Sequence, residues 1–183
     1  PRGKAMGGTS AINGQTFIRG VPEDFDTWAS WGNDDWAYLK CLPYFRKLES
    51  DEDYSGDFHG SDGLVPVRRH HRDTWPPAQE AFYQACIAAG YPDFPDIHEP
   101  DSTGISLRAE NNIDGVRMSM ALAYLDPNRH RLNLTVKANV QALKIVFSGQ
   151  RATGLEVESG GEQFSVEGDE IILCAGAVAS PHL

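Results

Sequence analysis

Hydrophobic and polar positions divide the chain into a helical first two thirds and a β-rich last third. Apolar residues recur three to four positions apart in residues 35–48 and 77–90, which predicts two amphipathic helices. Residues 22–31 form a shorter predicted helix that begins with a proline. A fourth short helix, over residues 118–125, is expected to stop before Pro127.

Prolines and apolar faces refine this picture. Pro43 is expected to bend or restart the helix over residues 35–48. The helix over residues 77–90 is expected to bury one apolar face, made of Ala81, Phe82, Ala85, Cys86 and Ala89. Residues 64–67 predict an edge strand, because Pro66 cannot donate to a ladder. The polar stretches 51–63 and 91–103 predict surface loops.

The last third predicts a β-meander followed by a buried strand. The β-like runs cover residues 132–136, 142–147, 153–158, 163–166 and 170–174. Glycines occupy the turns between several of these runs, at Gly149, Gly160-Gly161 and Gly168. Helices combined with short strands place the chain in the α+β or α/β class.

Composition excludes several classes of function. The chain has 183 residues, and 16 basic against 26 acidic residues give a net charge of -10. Such a charge disfavours nucleic acid and anionic membrane as partners. The three cysteines form no CxxC pair, so neither a disulfide framework nor a zinc site is expected, and a reducing compartment fits. No apolar run reaches the ~20 residues that span a bilayer.

The remaining charged residues predict ordinary structural roles. The acidic residues Glu49, Asp51, Glu52 and Asp53 are expected on the surface. The pair His70-His71 predicts a solvated loop. His59, His98 and His130 have no acidic or cysteine partner at metal-ligand spacing, so no metal is expected.

Both ends of the chain resemble cuts through a larger protein. The first four residues, Pro1 to Lys4, contain no initiating Met and no signal peptide. The last five, residues 179–183, follow a strand-like run at a point where a helix would be starting. We therefore expect an internal piece of a longer polypeptide.

Two short stretches are candidates for ligand binding. In residues 3–14, tandem glycines precede Thr9 and Ser10, so backbone could approach an anion such as a pyrophosphate, at a helix start near Thr9. A tight turn without a ligand explains the same residues equally well. In residues 170–177 an apolar run ends in small residues, which predicts a strand whose carboxyl end meets a ligand, or a plain core strand.

Taken together, the motifs resemble the glucose–methanol–choline (GMC) oxidoreductases over essentially the whole chain. Residues 3–26 resemble the first family signature, with a basic residue after glycine, a double glycine, two hydroxyl residues and an asparagine. Residues 176–181 resemble the opening of the second signature. Family-like residues between the two include His59-Gly60, Arg117 with Ser119, and Tyr124-Leu125. Asp35 departs from the pattern, which has glycine there.

The resemblance implies a two-domain flavoprotein that binds FAD. Residues 1–20 would be an FAD-binding segment, residues 21–131 a helix- and loop-rich region around the substrate entrance, and residues 132–183 a β-meander and return strand of the FAD-binding domain. Gly7, Gly8, Thr9 and Ser10 would face the pyrophosphate, and Asn13, Gly14 and Thr16 the isoalloxazine. Val140 would approach the adenine, and Ala175 and Gly176 the adenosine half.

The implied chemistry is hydride transfer from a small-molecule alcohol to flavin, with oxygen or a quinone or dye as electron acceptor. Neither the GxGxxG fingerprint nor the family's catalytic histidine region is present, so no catalytic residue is assigned. Some members bond FAD to a histidine before the signature asparagine, and that position is Ile12, which implies non-covalent FAD. A cytoplasmic location is expected, with membrane association of the parent enzyme as a second option. A hydroxynitrile lyase with non-redox FAD and a non-catalytic binding module remain alternatives.

Overall fold

The computed structural model describes residues 2–183 and has mixed helix and sheet content, as the sequence predicted. Its contacts divide the chain into two compact units, Pro1–Arg131 and Leu132–Leu183. Among the described residues, no helix is long and apolar enough to cross a membrane.

Three α-helices belong to the first unit: α1 (Pro22–Ser30), α2 (Tyr38–Leu48) and α3 (Pro77–Ala88). Pro22 occupies the first turn of α1, where its missing N–H costs nothing. Phe25 of α1 is buried and makes edge-on contacts with the rings of Trp28 and Phe45. These aromatic contacts hold α1 against α2.

The break in the second predicted helix does not fall at Pro43. A 3-10 turn (Asp34–Trp36) is separated from α2 by Ala37, whose extended ψ of 140° interrupts the helix, while Pro43 lies inside a continuous α2. The amide of Tyr38 donates to Asp26 Oδ1 at 3.0 Å, so an α1 carboxylate caps the new helix start. This long-range cap determines where α2 begins.

The predicted buried face of α3 is wrong. Phe82 is 66% exposed and Ala81, Ala85 and Ala89 are also exposed, whereas Tyr83 is buried against Trp75. The helix itself was predicted correctly from its period. Its orientation depends on which surface packs against it, and nothing in the described chain covers the alanine-rich face.

A mixed three-stranded sheet lies in the first unit, in the order β1 (Glu49–Asp51), β2 (Val65–Arg69), β3 (Ala109–Glu110). The strand predicted for the edge is therefore central. Pro66 is tolerated because β3 pairs only with Arg68 and Arg69, so the proline faces β1 alone. Val65 and Val67 are fully buried and form the apolar part of this core.

A hairpin follows, formed by β4 (Asn112–Ile113) and β5 (Val116–Arg117). Asp114 and Gly115 both have positive φ, as a two-residue hairpin turn requires. The predicted helix over residues 118–125 is a π-helical turn, Ala121–Leu125. This turn ends at Leu125, before Pro127, as expected, and the proline enters the first turn of a separate 3-10 helix, Asp126–Asn128, where it fits.

The second unit contains an antiparallel meander of β6 (Gln141–Ser148), β7 (Arg151–Ser159) and β8 (Glu162–Glu167), then helix α4 (Gly176–His182). The meander confirms three of the five predicted strands. Residues 132–136 and 170–174 are not strands, and Ile172 is 78% exposed, so the predicted buried strand is wrong. Neither run has a pairing partner among residues 2–183, and an unpaired run cannot form a ladder.

The most buried part of the first unit is charged. Glu49, Asp51 and Asp96 contact Arg19, Arg69 and His59, and every one of these six side chains is at most 4% exposed. The predicted surface position of Glu49 and Asp51 is therefore wrong, and residues 51–63 are not wholly a surface loop. Sequence spacing hid the acidic partners of His59, which come from β1 and from residue 96.

Three carboxylates and three cations balance in this cluster. Burial alone would lower the pKa of His59, but hydrogen bonds to Asp51, Asp96 and Glu49 outweigh it and raise the pKa to about 11. Burial would likewise raise the pKa of the carboxylates, yet contacts with His59 and the arginines hold the pKa of each below its usual value. His59 is thus a permanent imidazolium at neutral pH.

The first prediction concerns removal of this imidazolium. His59→Gln should lower the free energy of unfolding by about 3–5 kcal/mol, because three buried carboxylates then face only two cations. Urea denaturation measures the change. The matched control is exposed His130→Gln, which should remain within about 0.5 kcal/mol of the parent. Equal stability of the two variants would show that His59 is not part of the ionic core.

The second prediction concerns pH. The lowered carboxylate pKa values add stability that is present above about pH 4 and is lost as the pH falls. The raised pKa of His59 adds stability that is complete below pH 6.5 and is lost as the pH rises towards about 11. Between pH 6.5 and 10, His59→Gln should therefore lose less stability than the parent, by urea denaturation at each pH. If the stabilities of the parent and of His59→Gln fell in parallel with pH, His59 would not be a buried imidazolium.

Candidate functional site

The glycine-rich loop adopts a short 3-10 turn, Gly8–Ala11. Gly7 and Gly8 have φ of 84° and 57°, a region that favours glycine. A Cβ on Gly7 would lie 3.2 Å from Ala121 Cβ, so the loop packs tightly on the π-helical turn. A Cβ on Gly8 would meet no atom within 4 Å, so backbone here is open to a ligand.

The helix start expected near Thr9 provides little electrostatic attraction. A four-residue 3-10 turn lacks the aligned peptide dipoles of an α-helix, so the anion argument from a helix end does not apply. Anion binding at this loop depends instead on individual donors. The two hydroxyl residues are the natural candidates.

Thr9 and Ser10 face different ways. The Ser10 hydroxyl donates to the carbonyl of Gly7 at 2.5 Å and accepts from the amide of Met120 at 2.9 Å. Thr9 is exposed, and its hydroxyl only accepts, from the amide of Gly3 at 3.2 Å. The hydroxyl proton of Ser10 is therefore committed within the loop, whereas that of Thr9 is available to a ligand.

Asn13, Gly14 and Thr16 continue the segment. The side-chain oxygen of Asn13 accepts from the amide of Gln15 at 3.1 Å and from Arg117 Nη1 at 3.0 Å. Gly14 has open space where a Cβ would point. Thr16 forms an isolated antiparallel bridge with Glu110.

Neighbouring backbone fixes the segment on its other side. The amide of Phe17 donates to Ala109 and the amide of Asn111 donates to Gln15, both at 2.9 Å. His98 Nε2 lies 3.0 Å from the carbonyl of Phe17. Burial, followed by the charge of Arg19, holds the pKa of His98 below its usual value, so this imidazole is neutral and donates from Nε2.

Structure thus brings together seven of the ten residues that the resemblance implies, in one segment of the first unit: Gly7, Gly8, Thr9, Ser10, Asn13, Gly14 and Thr16. The other three belong to the second unit. Val140 directly precedes β6. Ala175 is the N-cap of α4, and its amide donates to the Ser180 hydroxyl at 3.0 Å. Gly176 begins α4 with φ of 89°. Their roles towards FAD stay predictions.

A polar cavity of about 320 Å³ lies beside the small sheet, lined by His70, Trp75, Gln79, Arg108 and Glu110. The Glu110 carboxylate already accepts from His70, Arg108 and Asn112. The predicted solvent exposure of His70-His71 is confirmed, at 52% and 70% of the side chains. The one acid that lines this cavity is therefore already engaged by three neighbouring side chains.

One group of residues has the composition of a metal site. Ligand atoms of Glu49, Asp51, His59 and His98 lie within 4.8 Å of one another. Glu49 Oε2 and His98 Nδ1 are buried without a hydrogen-bond partner among the described residues, which favours an ion.

Charge argues more strongly against a metal there. Arg19 and Arg69 already neutralise the carboxylates, and His59 would have to give up a proton held with a pKa of about 11. The expectation that the protein uses no metal stays a prediction.

The residues that position the loop were only partly visible in the sequence. Arg117 matches the family pattern, but its contact with Asn13 and the contact of Met120 with Ser10 each span more than 100 positions and have no periodic signal. The carboxylate of Glu110 is missed entirely. These groups become recognisable only when the hairpin is placed against the signature segment.

Comparison with known proteins identifies the family of the chain. The family model described as GMC oxidoreductase matches residues 1–183. A GMC-type oxidoreductase of Rhodococcus erythropolis is 42% identical over 182 residues, covering all of this chain and 36% of that protein. An oxygen-dependent choline dehydrogenase of Burkholderia pseudomallei is 41% identical over 185 residues, covering all of this chain and 33% of that protein.

Solved structures show the same fold. Pyridoxine 4-oxidase from Mesorbium loti superposes with a TM-score of 0.91 at 30% identity, over 98% of this chain and 36% of the oxidase chain. Formate oxidase superposes with a TM-score of 0.85 at 25% identity, over 100% of this chain and 33% of that chain. The chain therefore spans about a third of the length of these relatives, and it belongs to the GMC oxidoreductase family.

Proposed function

We propose that this chain is part of an FAD-dependent oxidoreductase that transfers a hydride from the CH–OH group of a small alcohol to flavin, giving an aldehyde or ketone. Family membership supports this, because the relatives include a choline dehydrogenase and a pyridoxine 4-oxidase. The observation that carries the proposal is the open glycine segment, where Gly8, Thr9 and Asn13 leave backbone and donors free.

FAD fits the groups that this segment offers. A pyrophosphate needs close backbone approach and donors, which Gly8 and the uncommitted Thr9 hydroxyl supply. A flavin ring carries carbonyl and nitrogen acceptors at its polar edge, and the Asn13 amide has N–H groups to donate. The open side of Gly14 allows a flat ring to pack closely. Ser10 shapes the loop from within.

The work of these residues is binding and orientation. When bound, FAD supplies the hydride acceptor, and the protein supplies position and proton transfer. Asn13 and Gly14 would contact the flavin ring. Gly7 and Ser10 are kept in place by Ala121, which packs on Gly7, and by the amide of Met120, which donates to Ser10. We assign no general base to residues 2–183, because none of their histidines is both exposed and adjacent to this segment.

Two further aspects are proposed on the same basis. The substrate is a small alcohol and the electron acceptor is oxygen, a quinone or a dye. We also propose a cytoplasmic location, with membrane association of the parent enzyme as the second option; the free Cys41, Cys86 and Cys174 support a reducing compartment.

The third prediction tests the reaction. Anaerobic addition of an alcohol substrate to the complete flavoprotein that contains this chain should bleach the oxidised flavin absorbance, because the hydride passes to the ring. A panel of choline, benzyl alcohol, pyridoxine and glucose samples the substrate class. Release of cyanide from a cyanohydrin without bleaching would instead identify a hydroxynitrile lyase. Absence of both reactions across the panel would contradict alcohol oxidation.

The fourth prediction concerns how FAD is held. Ile12 has no nucleophilic nitrogen, so it cannot bond to the flavin 8α carbon as a histidine does, and FAD should be bound non-covalently. Acid precipitation of the complete protein should leave the yellow colour in the supernatant. Added FAD should raise the melting temperature, because a reversible ligand stabilises by mass action.

Ile12→His provides the comparison for that experiment. It places an imidazole at the same half-exposed position. Colour that remains in the pellet of the unmodified protein would show that another residue forms the bond.

A further inference from the structure

The Asn13 side chain is held in one orientation. Two groups contact the same terminal atom: the backbone amide of Gln15 at 3.1 Å and Arg117 Nη1 at 3.0 Å. Both are donors without acceptor capacity. An amide nitrogen at that position would face two N–H groups, so the atom must be the oxygen. The donor character of both neighbours therefore fixes which end of the carboxamide is the oxygen.

The other end of the carboxamide is therefore the NH₂ group. Asn13 Nδ2 has no hydrogen-bond partner among residues 2–183, and the residue is only half-buried. The chain thus presents a donor, in a fixed direction, at a position that the family resemblance assigns to the flavin ring.

Arg117 is well placed to impose this orientation. It ends β5 and pairs with Asn112 across the hairpin. The base of the hairpin is joined to the signature segment, because the amide of Asn111 donates to the carbonyl of Gln15. The side chain of Asn111 also donates to the carbonyl of Met118, on the far side of the hairpin. Among the described residues, the Arg117 guanidinium forms no ion pair, and Asn13 is its one hydrogen-bond partner, while the Arg117 carbonyl accepts from the amide of Ser119.

We propose that Arg117 is a positioning residue that fixes the Asn13 carboxamide so that Nδ2 donates to the flavin ring. The inference rests on the proposed function, since it needs FAD to bind the complete protein. The inference specifies the direction of the hydrogen bond, in which Asn13 donates and the cofactor accepts. Arg117 then acts on the cofactor only through Asn13.

A double-mutant cycle tests the coupling. Arg117→Met should weaken FAD binding to the apoprotein about 10-fold, because the amide loses a charge-assisted hydrogen bond. In an Asn13→Ala background the same change should have an effect below about 2-fold, since residues that act as one unit are not additive. Equal effects in both backgrounds would overturn the proposal. Arg117→Lys, which keeps a donor, should recover most of the affinity.

A second variant tests the direction of the hydrogen bond. Asn13→Asp keeps the contacts with Arg117 and Gln15 but replaces the NH₂ group by a carboxylate oxygen. FAD affinity should fall further than in Asn13→Ala, and the flavin midpoint potential should become more negative, because negative charge opposes reduction of the ring. Unchanged potential and affinity in Asn13→Asp would show that Nδ2 does not face the flavin.

Controls separate the possible failures. Exposed Arg129→Met removes an equal charge from a surface pair with Asp126 and should leave FAD affinity and potential unchanged. Melting curves of the apoproteins show whether a variant has lost its fold. If the unmodified complete protein binds no FAD, the proposed function itself fails. If it binds FAD and the cycle is additive, only the role of Arg117 fails.

Discussion

The charge-balanced cluster of the first unit is the constraint on which the glycine-rich segment, residues 3–16, depends. Arg19 lies three residues after Thr16, and its guanidinium contacts Glu49 Oε1 at 2.5 Å and the carbonyl of Phe58 at 2.7 Å. The same carboxylate accepts from the amide of Gly60. Burying six ionised groups is costly unless each is matched. Because each charge has a partner on another segment, the ion pairs fix the position of β1 relative to β2 and to residues 58–60.

Glycine at 60 and 63 follows from that crowding. A Cβ at Gly60 would lie 1.8 Å from the carbonyl oxygen of Arg46, and one at Gly63 would lie 2.4 Å from the backbone of Glu49. Any side chain would push these loops away from the buried carboxylate. The His59-Gly60 pair that resembles the family thus has a structural reason: the histidine supplies the third cation, and the glycine lets its loop approach Glu49.

Sequence patterns predicted elements well where local chemistry decides, and poorly where a distant partner decides. The starting proline of α1, the period of α3 and the turns of the meander from β6 to β8 are local signals, and these elements were predicted. Burial of Tyr83 instead of Phe82 depends on what packs against α3, which periodicity does not contain. Asp51 was predicted on the surface because its partners are distant in sequence: His59 lies in a loop and Arg69 lies on β2.

The candidate site shows the same division at the scale of single atoms. Motif spacing placed Thr9 and Ser10 together as equivalent hydroxyl donors, yet the Ser10 proton goes to Gly7 and only Thr9 remains available. The difference arises from Met120, whose amide lies 110 positions away and takes the Ser10 oxygen as its acceptor. A signature therefore identifies which residues form the loop, whereas the packed segment behind it determines which of their atoms face a ligand. Within one family, changes in residues 117–121 would alter the cofactor environment while leaving the signature intact.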